Sequence, residues 1–319
     1  MLRRFGLGMV MMLAAAGPAR AWDDFGHMQV AAAAYKKLAA KTKARVDALL
    51  KLNPHYGDWI VGAKKRDQPR VAFLRAATWA DAIKSDRAYK DDDQKASTAG
   101  QNIGYADLLR HKYWHFVDQP FSPDGTPLAD AMAPNALTQI TLFKAALCST
   151  TASDDVKGYD LVWLLHLVGD VHQPLHTVSR FDKDDPRGDR GGNQVKITGN
   201  EQPPVCDDPR YCPFGPPADL HAFFDDITGS GYCAEEVQAA ADALPKANAT
   251  KAAITDEGIW VSEGVQLAQA AVYVAPIGVG DGPFTVDAAY QKAAFALGKQ
   301  RISLAGARLA NLLNACLPK

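Results

Sequence analysis

The stretch LLHLVGDVHQPLH (164–176) places three histidines and one aspartate in an otherwise apolar run. A buried helix loses stability when it carries polar groups that nothing satisfies. Residues i and i+4 of a helix share a face, so His166 and Asp170 place an imidazole beside a carboxylate. Such a pair is typical of the ligands that hold a divalent transition metal. The spacing therefore predicts a metal site on this helix.

Two further features extend the predicted site. His221 and Asp225, in the motif DLHAFFDD, repeat the i, i+4 pairing. Pro174 has no N–H to donate to the carbonyl of Asp170, so the helix should kink or end there. His176 can then point away from the first pair, toward a different set of ligands.

An isolated His–Asp pair on a helix is more often a cap or a hydrogen-bonded pair than a metal site. Two pairs occur here, together with WHFVD (114–118) and TWADAIK (78–84), where tryptophans flank further His and Asp residues. These groups are costly to bury without partners, and a shared cation would satisfy them all. His172 lies six residues after His166 and faces another side of the helix, so we expect it to have a structural role.

The N-terminus has the pattern of a signal peptide at residues 1–21. Arg3 and Arg4 precede a short apolar segment, and the sequence ARA at 19–21 matches a small-residue cleavage site. The alternative is an uncleaved membrane anchor.

Cleavage after residue 21 would give Trp22 a free α-amino group, which is readily deprotonated for a metal. The amine nitrogen and carbonyl oxygen of one residue form a five-membered chelate, and His27 follows closely enough to join it. The alternative is that Trp22 merely follows the signal and that His27 is a polar residue at a helix start.

The composition is that of a globular protein without an overall basic field. The 319 residues are 47% hydrophobic and 22% charged, with a net charge of −1. Loss of residues 1–21 would reduce the basic residues from 35 to 32 against 36 acidic ones, a net charge of −4. Any binding of phosphate must therefore be local. No second apolar segment is long enough to span a membrane.

The pattern of apolar residues predicts an all-α single domain. No alternation is long enough for a sheet, although VKITG (195–199) could form one arm of a small β-hairpin. Two polar or Pro- and Gly-rich stretches, 85–104 and 178–218, are expected to be loops. The predicted helices cover residues 27–50, 68–87, 101–117, 136–150, 155–173, 218–228, 232–245, 252–275 and 286–315.

The five cysteines permit disulfides if the chain is exported. Several pairings are possible from the sequence alone. Cys206 with Cys212 would close a short loop, and Cys148 with Cys316 would clip the C-terminal helix to the rest of the domain.

The ordered motifs resemble those of the class I zinc-dependent single-strand nucleases and 3'-nucleotidases, the nuclease S-one and P-one type. The matching pieces are WDDFGH, WADAIK, WHFVD, HLVGDVHQPLH and LHAFFD, in family order from residue 22 to 225. The last motif departs from the family pattern, with Asp219 and Phe224 where Asn and Trp are usual. The resemblance implies one helical domain over 22–319, of the type shared by zinc phospholipase C and single-strand nucleases.

The resemblance also implies three zinc ions, each with its own ligand set. One zinc would be held by Asp81, His115, His166 and Asp170. A second would be held by the amine and carbonyl of Trp22, by His27 and by a bridging Asp170. The third would be held by His176, His221 and Asp225.

The implied activity is cleavage of single-stranded DNA and RNA to 5'-phosphate products, with 3'-nucleotidase activity. A zinc-bridged hydroxide would attack phosphorus in line, beside the carboxylates Asp81 and Asp170. Lys84 matches the family's basic residue that assists the phosphate, and its alternative is a solvated helix lysine. Phe116 matches the base-stacking aromatic and Asp118 the base-contacting carboxylate. The alternative for Phe116 is core packing.

Two rival functions remain open at this point. A zinc phospholipase C shares the helical fold and the N-terminal tryptophan ligand, but it has His-x-x-x-Glu where this chain has His221 and Asp225. A zinc-sequestering protein would need saturated coordination and no anion-binding residue. We expect a secreted or periplasmic monomer, without a membrane anchor after cleavage, that acts on single-stranded DNA, RNA and 3'-nucleotides.

Overall fold

The computed structural model describes residues 22–199, 217–229 and 232–317. The expected signal peptide and the candidate pair Cys206–Cys212 lie outside the described residues. The prediction of an all-α fold is confirmed. The α-helices of the described residues are α1 (Asp24–Tyr35), α2 (Ala40–Leu50), α3 (Tyr56–Trp59), α4 (Gln68–Ala76), α5 (Trp79–Ala82), α6 (Ala136–Cys148), α7 (Asp154–Asp170), α8 (Leu220–Asp225), α9 (Ala234–Asp242), α10 (Ala249–Ala252), α11 (Glu257–Leu267) and α12 (Ala288–Cys316).

Helix α7 runs through the middle of the fold and is buried along almost its whole length. It begins at Ser153, whose side chain accepts a hydrogen bond from the Val156 N–H and so satisfies a free donor of the first turn. It ends at Asp170, before Pro174 as expected but earlier than the predicted end at residue 173. Helices α1, α2, α5, α6 and α12 pack around it. The polar residues of α7 therefore lie in the interior.

The predicted helix over 101–117 is wrong. The segment forms two short 3₁₀ turns instead. Gly104 has a φ of 69° and His111 a φ of 42°, both outside the right-handed helical region. The ring of His111 is held between two carboxylates, with Nδ1 2.7 Å from Asp92 Oδ2 and Nε2 3.1 Å from Asp107 Oδ2. The contact with Asp92, from a separate segment, adds a tertiary interaction that overrides the local helical preference.

The strands are very short, and the expected β-hairpin is not formed by the described residues. β1 (Gln119–Phe121) pairs with β2 (Val178–Arg180), and β3 (Ile197–Thr198) pairs with β4 (Phe284–Thr285), both in parallel. A hairpin needs antiparallel neighbours joined by a tight turn, whereas β3 meets a partner far along the chain.

One disulfide joins two helix ends. Cys148 at the end of α6 is bonded to Cys316 at the end of α12, 168 residues away, which confirms that pairing. Cys233 is a free, exposed thiol. Among the described residues, no helix is both long and apolar enough to cross a membrane.

Candidate metal centre

The first group of potential ligands lies where α5, α7 and the 3₁₀ turn before residue 116 meet. Asp81 belongs to α5, His166 and Asp170 to α7, and His115 to the turn. His115 Nδ1 lies 3.0 Å from His166 Nε2 and 3.2 Å from Asp170 Oδ2. His166 Nε2 lies 3.4 Å from Asp170 Oδ2. Asp81 Oδ1 lies 3.7 Å from His115 Nδ1 and 3.6 Å from His166 Nε2.

These separations fit one metal ion. Zinc bonds of about 2.0–2.1 Å in a tetrahedron place neighbouring ligand atoms about 3.4 Å apart. The observed separations, from 3.0 to 3.7 Å, lie on either side of that value. His166 is oriented for this role because its Nδ1 lies 2.7 Å from the Ala77 carbonyl oxygen, to which it donates. The lone pair on its Nε2 atom is then available to a metal ion.

The second group adjoins the first through Asp170. His27 Nε2 lies 3.3 Å from Asp170 Oδ1, and its ring stacks on that of His166 with centroids 3.7 Å apart. Trp22 is fully buried, and its indole N–H donates to the Gly169 carbonyl at 3.0 Å. Glycine at position 169 leaves room for the His27 ring, because a Cβ there would lie 2.9 Å from His27 Nδ1. Asp170 thus presents one carboxylate oxygen to each group.

The third group is formed by the 3₁₀ helix after α7 and by α8. His221 Nε2 lies 3.4 Å from Asp225 Oδ2, and His176 Nε2 lies 3.8 Å from Asp225 Oδ1. The Nδ1 atom of His221 lies 2.7 Å from the Gly191 carbonyl oxygen, and that of His176 lies 2.8 Å from the His115 carbonyl oxygen. When neutral, each imidazole therefore keeps Nε2 as an acceptor.

Several buried atoms of these groups have no hydrogen-bond partner among the described residues. They include the Nε2 atoms of His27, His115, His176 and His221, the Nδ1 atom of His27, and the Oδ1 atoms of Asp81 and Asp170. A buried polar atom without a partner costs about 1–3 kcal/mol. Three sets of possible ligand atoms each lie within 4.8 Å of one another, namely those of His27, Asp81 and His166, those of His115, His166 and Asp170, and those of His176, His221 and Asp225. Bound cations would satisfy the atoms together, so the residues present fit metal ions.

Protonation states in the first group suit metal binding. Burial lowers the pKa of His166 to about 3, so its imidazole is neutral near pH 7. Burial raises the pKa of Asp81, but Lys84, then His166 and His115, outweigh it and hold that pKa below its ordinary value. A neutral imidazole and an ionised carboxylate are the forms that bind a metal.

Lys84 is placed beside the first group. Its Nζ lies 2.6 Å from Asp81 Oδ1, and its side chain is only 6% exposed. The alternative of a solvated helix lysine is therefore wrong. The ammonium group brings a positive charge to the edge of the candidate metal site.

Phe116 and Asp118 follow directly after the first group. The segment is fixed by Val117, whose N–H donates to the His176 carbonyl at 2.9 Å. Phe116 is half-buried and packs against the core, so its ring is partly accessible. Asp118 has a φ of 53°, and burial raises the pKa of its carboxyl to about 6. The segment links the first group to the third.

The sequence did not reveal how two polar residues orient the third group. Gln173 Nε2 donates to Asp225 Oδ1 at 2.8 Å, and its Oε1 accepts from the Leu175 N–H at 2.6 Å. Asp219 begins α8, since its side chain accepts from the Ala222 N–H at 2.9 Å. The position of Gln173 between two predicted ligands was the one available signal for its role.

The helical fold and its buried histidine–aspartate groups together indicate a metal-dependent hydrolase. The model of the S1/P1 nuclease family matches residues 22–318, nearly the whole chain, so the protein belongs to that family. No curated protein sequence matches the chain significantly. The family consists of zinc-dependent nucleases that act on nucleic acids and are typically secreted, and the disulfide is consistent with that location. The family and enzyme class predicted from the motifs are confirmed.

Proposed function

We propose that this protein cleaves single-stranded DNA and RNA to products with 5'-phosphate ends, and that it also removes the phosphate of 3'-nucleotides. The observation that carries this proposal is the continuity of the His–Asp groups. Asp170 offers one oxygen to His115 and the other to His27, and Val117 connects the first group to His176 of the third. Adjacent metal sites of this kind suit phosphoryl transfer.

We further propose three zinc ions per chain, with every ligand expected from the resemblance. Asp81, His115, His166 and Asp170 would hold the first. The Trp22 amine and carbonyl, His27 and Asp170 would hold the second, and His176, His221 and Asp225 the third. The measured separations in the first group and the unpartnered Nε2 atoms in the others support this assignment.

The chain's own side chains position the phosphate. Zinc ions, when bound, supply positive charge that acidifies water and stabilises a phosphoryl group. Lys84 Nζ, 2.6 Å from Asp81 Oδ1, adds a cation at the edge of the first group. It can donate to a phosphoryl oxygen as negative charge develops there. The buried surroundings strengthen that interaction, because little water competes with it.

Phe116 and Asp118 would bind a nucleobase next to the cleaved bond. An accessible aromatic ring can stack on any base, and each stacked base contributes about 1–3 kcal/mol. Stacking on a side chain requires that the base has left its neighbours, which gives a physical reason for preferring single strands. The Asp118 carboxylate would accept a hydrogen bond from an N–H group on the edge of the base.

We also propose that residues 1–21 are a signal peptide and that the mature chain is a secreted or periplasmic monomer without a membrane anchor. Cleavage there would create the free amine that the second ligand set requires. The exported location agrees with the Cys148–Cys316 disulfide.

The test combines metal content with substrate choice. The purified chain beginning at Trp22 should contain about three zinc ions and release acid-soluble nucleotides from single-stranded DNA. It should act far more slowly on duplex DNA, and a chelator should stop both reactions. Zinc-loaded protein that cleaves phosphatidylcholine but not DNA would instead identify a phospholipase. One zinc or none would contradict the three-site assignment.

A further inference from the structure

Arg190 lies one residue from the third group. The next residue, Gly191, gives its carbonyl oxygen to His221 Nδ1 at 2.7 Å. Gly191 also packs closely against Leu175, the residue before His176, because a Cβ at position 191 would collide with the Leu175 carbonyl oxygen. The main chain of Arg190 is thereby fixed beside both histidines of the third group.

The main chain of Arg190 is held in an unfavourable conformation. Its φ is 54°, in the left-handed region that costs a residue with a Cβ roughly 1–2 kcal/mol. Its N–H donates to Ser179 Oγ at 3.2 Å, and its carbonyl accepts from the Asn193 side chain at 2.7 Å. Such strain is often found at functional sites. Three non-glycine residues of the described chain have positive φ, and the other two, His111 and Asp118, flank His115 in sequence.

The Arg190 side chain carries a positive charge into solvent. It is exposed, and the described residues provide no carboxylate within 4 Å of its guanidinium group. Its charge nevertheless acts on Asp118: burial raises the pKa of that carboxyl, and His176 and Arg190 both oppose the rise. Arg190 is thus an exposed cation that directly precedes the residue bonded to His221 of the third group.

We propose that Arg190 binds a phosphate of the nucleic acid next to the one that is cleaved, and so favours oligonucleotides over 3'-nucleotides. The inference rests on the proposed function. With the cleaved phosphate at the metal groups and its base on Phe116, a longer strand would continue beyond these groups, and Arg190 is an exposed cation beside the third of them. A 3'-nucleotide has no phosphate to place there. A guanidinium group suits a phosphate because it donates two parallel hydrogen bonds.

A local cation is needed because the chain has no general attraction for polyanions. Its net charge is −1, and acidic residues surround Arg190 in the segment DKDDPRGDRGG. Another arginine of the same segment, Arg187, is also exposed and lies three residues earlier. It has no comparable link to the ligand-bearing residues among the described contacts. Arg187 therefore provides a control of equal charge.

The experiment compares Arg190→Gln with Arg187→Gln in the zinc-loaded full mature chain. The kcat/KM is measured for a ten-residue oligothymidylate and for thymidine 3'-phosphate over a range of NaCl concentrations. For Arg190→Gln, we expect the ratio of oligonucleotide to nucleotide kcat/KM to fall about tenfold, as for one lost charged contact. The slope of log kcat/KM against log salt for the oligonucleotide should shrink by about 0.7, the value for one single-strand phosphate. Binding of a non-cleavable phosphorothioate oligomer should weaken in parallel.

The control separates a specific contact from a change in overall charge. Arg187→Gln should leave the selectivity ratio and the salt slope unchanged. Equal losses for the two variants, or an unchanged ratio and slope for Arg190→Gln, would overturn the inference while the proposed function stands. A wild-type protein that acts on neither substrate would overturn the proposed function and the inference with it.

Discussion

Two buried polar clusters lie against the turn that follows α7, and they differ in how their atoms are satisfied. The first is the set of metal-ligand groups that meet at Asp170 and His176. The second is an arginine cluster formed by His172, Arg301, Arg308 and Glu263. Both clusters place imidazoles and charged groups in the interior. They differ in whether the imidazole nitrogens have hydrogen-bond partners.

The arginine cluster supplies its own hydrogen-bond partners. Arg308 donates to Glu263 at 2.8 and 2.9 Å, and its Nη1 lies 3.0 Å from His172 Nε2. Arg301 donates to the same carboxylate at 3.1 Å and to the His172 carbonyl at 2.9 Å. His172 Nδ1 lies 2.7 Å from the Val168 carbonyl oxygen. One Arg301 nitrogen, Nη2, is the atom of this cluster left without a partner among the described residues.

The difference separates a histidine whose nitrogens have protein partners from histidines that could bind a metal. Both nitrogens of His172 are engaged, and burial, then Arg301 and Arg308, lower its pKa well below the ordinary value. His27, His176 and His221 each keep a buried Nε2 without a partner. Burial alone therefore does not identify a ligand, whereas an unsatisfied acceptor facing a carboxylate does. The arginine cluster holds the turn that connects the ligand groups.

The largest effect is expected for Asp170→Asn. This carboxylate serves two groups, so we expect bound zinc to fall from about three ions per chain to about one. Cleavage of single-stranded DNA should fall by more than about 100-fold. Elemental analysis and nucleotide release measure the two quantities. Asp160→Asn, on the same helix, is the matched control and should keep its zinc. Retention of all the zinc by Asp170→Asn would contradict the shared role of this carboxylate.

Glu263→Gln should have a large effect on stability and little on metal binding. Removal of this charge leaves two buried guanidinium groups without their common partner, which should lower the free energy of unfolding by about 3 kcal/mol. Urea unfolding in the presence of a chelator isolates this loss from the contribution of bound metal. The exposed Glu236→Gln serves as the control. A drop in zinc content of the folded variant would show that the two clusters are not separable.

Asp160→Asn should change how stability depends on pH. Burial raises the pKa of the Asp160 carboxyl to about 8, although the hydrogen bond from Asn102 opposes this. Between pH 4 and pH 8 the folded state keeps a proton that the unfolded state loses, so stability decreases as the pH rises through this range. As the pH rises from 5 to 8, the free energy of unfolding of the variant should increase by at least about 1 kcal/mol relative to that of wild type. Parallel pH curves for the two proteins would refute this expectation.

The smallest effect is expected for Gln173→Leu. Gln173 orients Asp225 without being a ligand candidate, and loss of such a partner typically weakens metal affinity by 10–100-fold. We expect a loss of about tenfold, confined to one of the ions, in a competition titration with a zinc chelator. Gln238→Leu, on a surface helix, should leave all affinities unchanged. A uniform loss across all ions would point to a general disturbance of the fold.

Local sequence patterns predicted the helices and the pairing of ligands that share a helix. His166 with Asp170 and His221 with Asp225 follow from the helical repeat alone, and the end of α7 follows from Pro174. Each of these features depends on residues within one or two turns of each other. The resemblance supplied the members that come from distant segments, such as Asp81 and His115.

Features made by distant residues could not be predicted in this way. His111 leaves the helical region while Asp92 and Asp107 hold its ring, and no local pattern indicates the contact with Asp92, which belongs to a separate segment. Strand β3 pairs with residues far along the chain, so its parallel direction was not visible. The arginines that bond to His172 come from α12 and the carboxylate that pairs with them comes from α11, where the sequence showed only continuing helices.

The disulfide between Cys148 and Cys316 also determines what a protease could do to this protein. It closes a covalent ring that contains the exposed residues of segment 183–187 as well as His176 and His221. A single nick in that segment would divide the polypeptide between those two histidines. The fragments would nevertheless remain one molecule, with both halves of the third group still tethered, and would separate only after the bond is reduced.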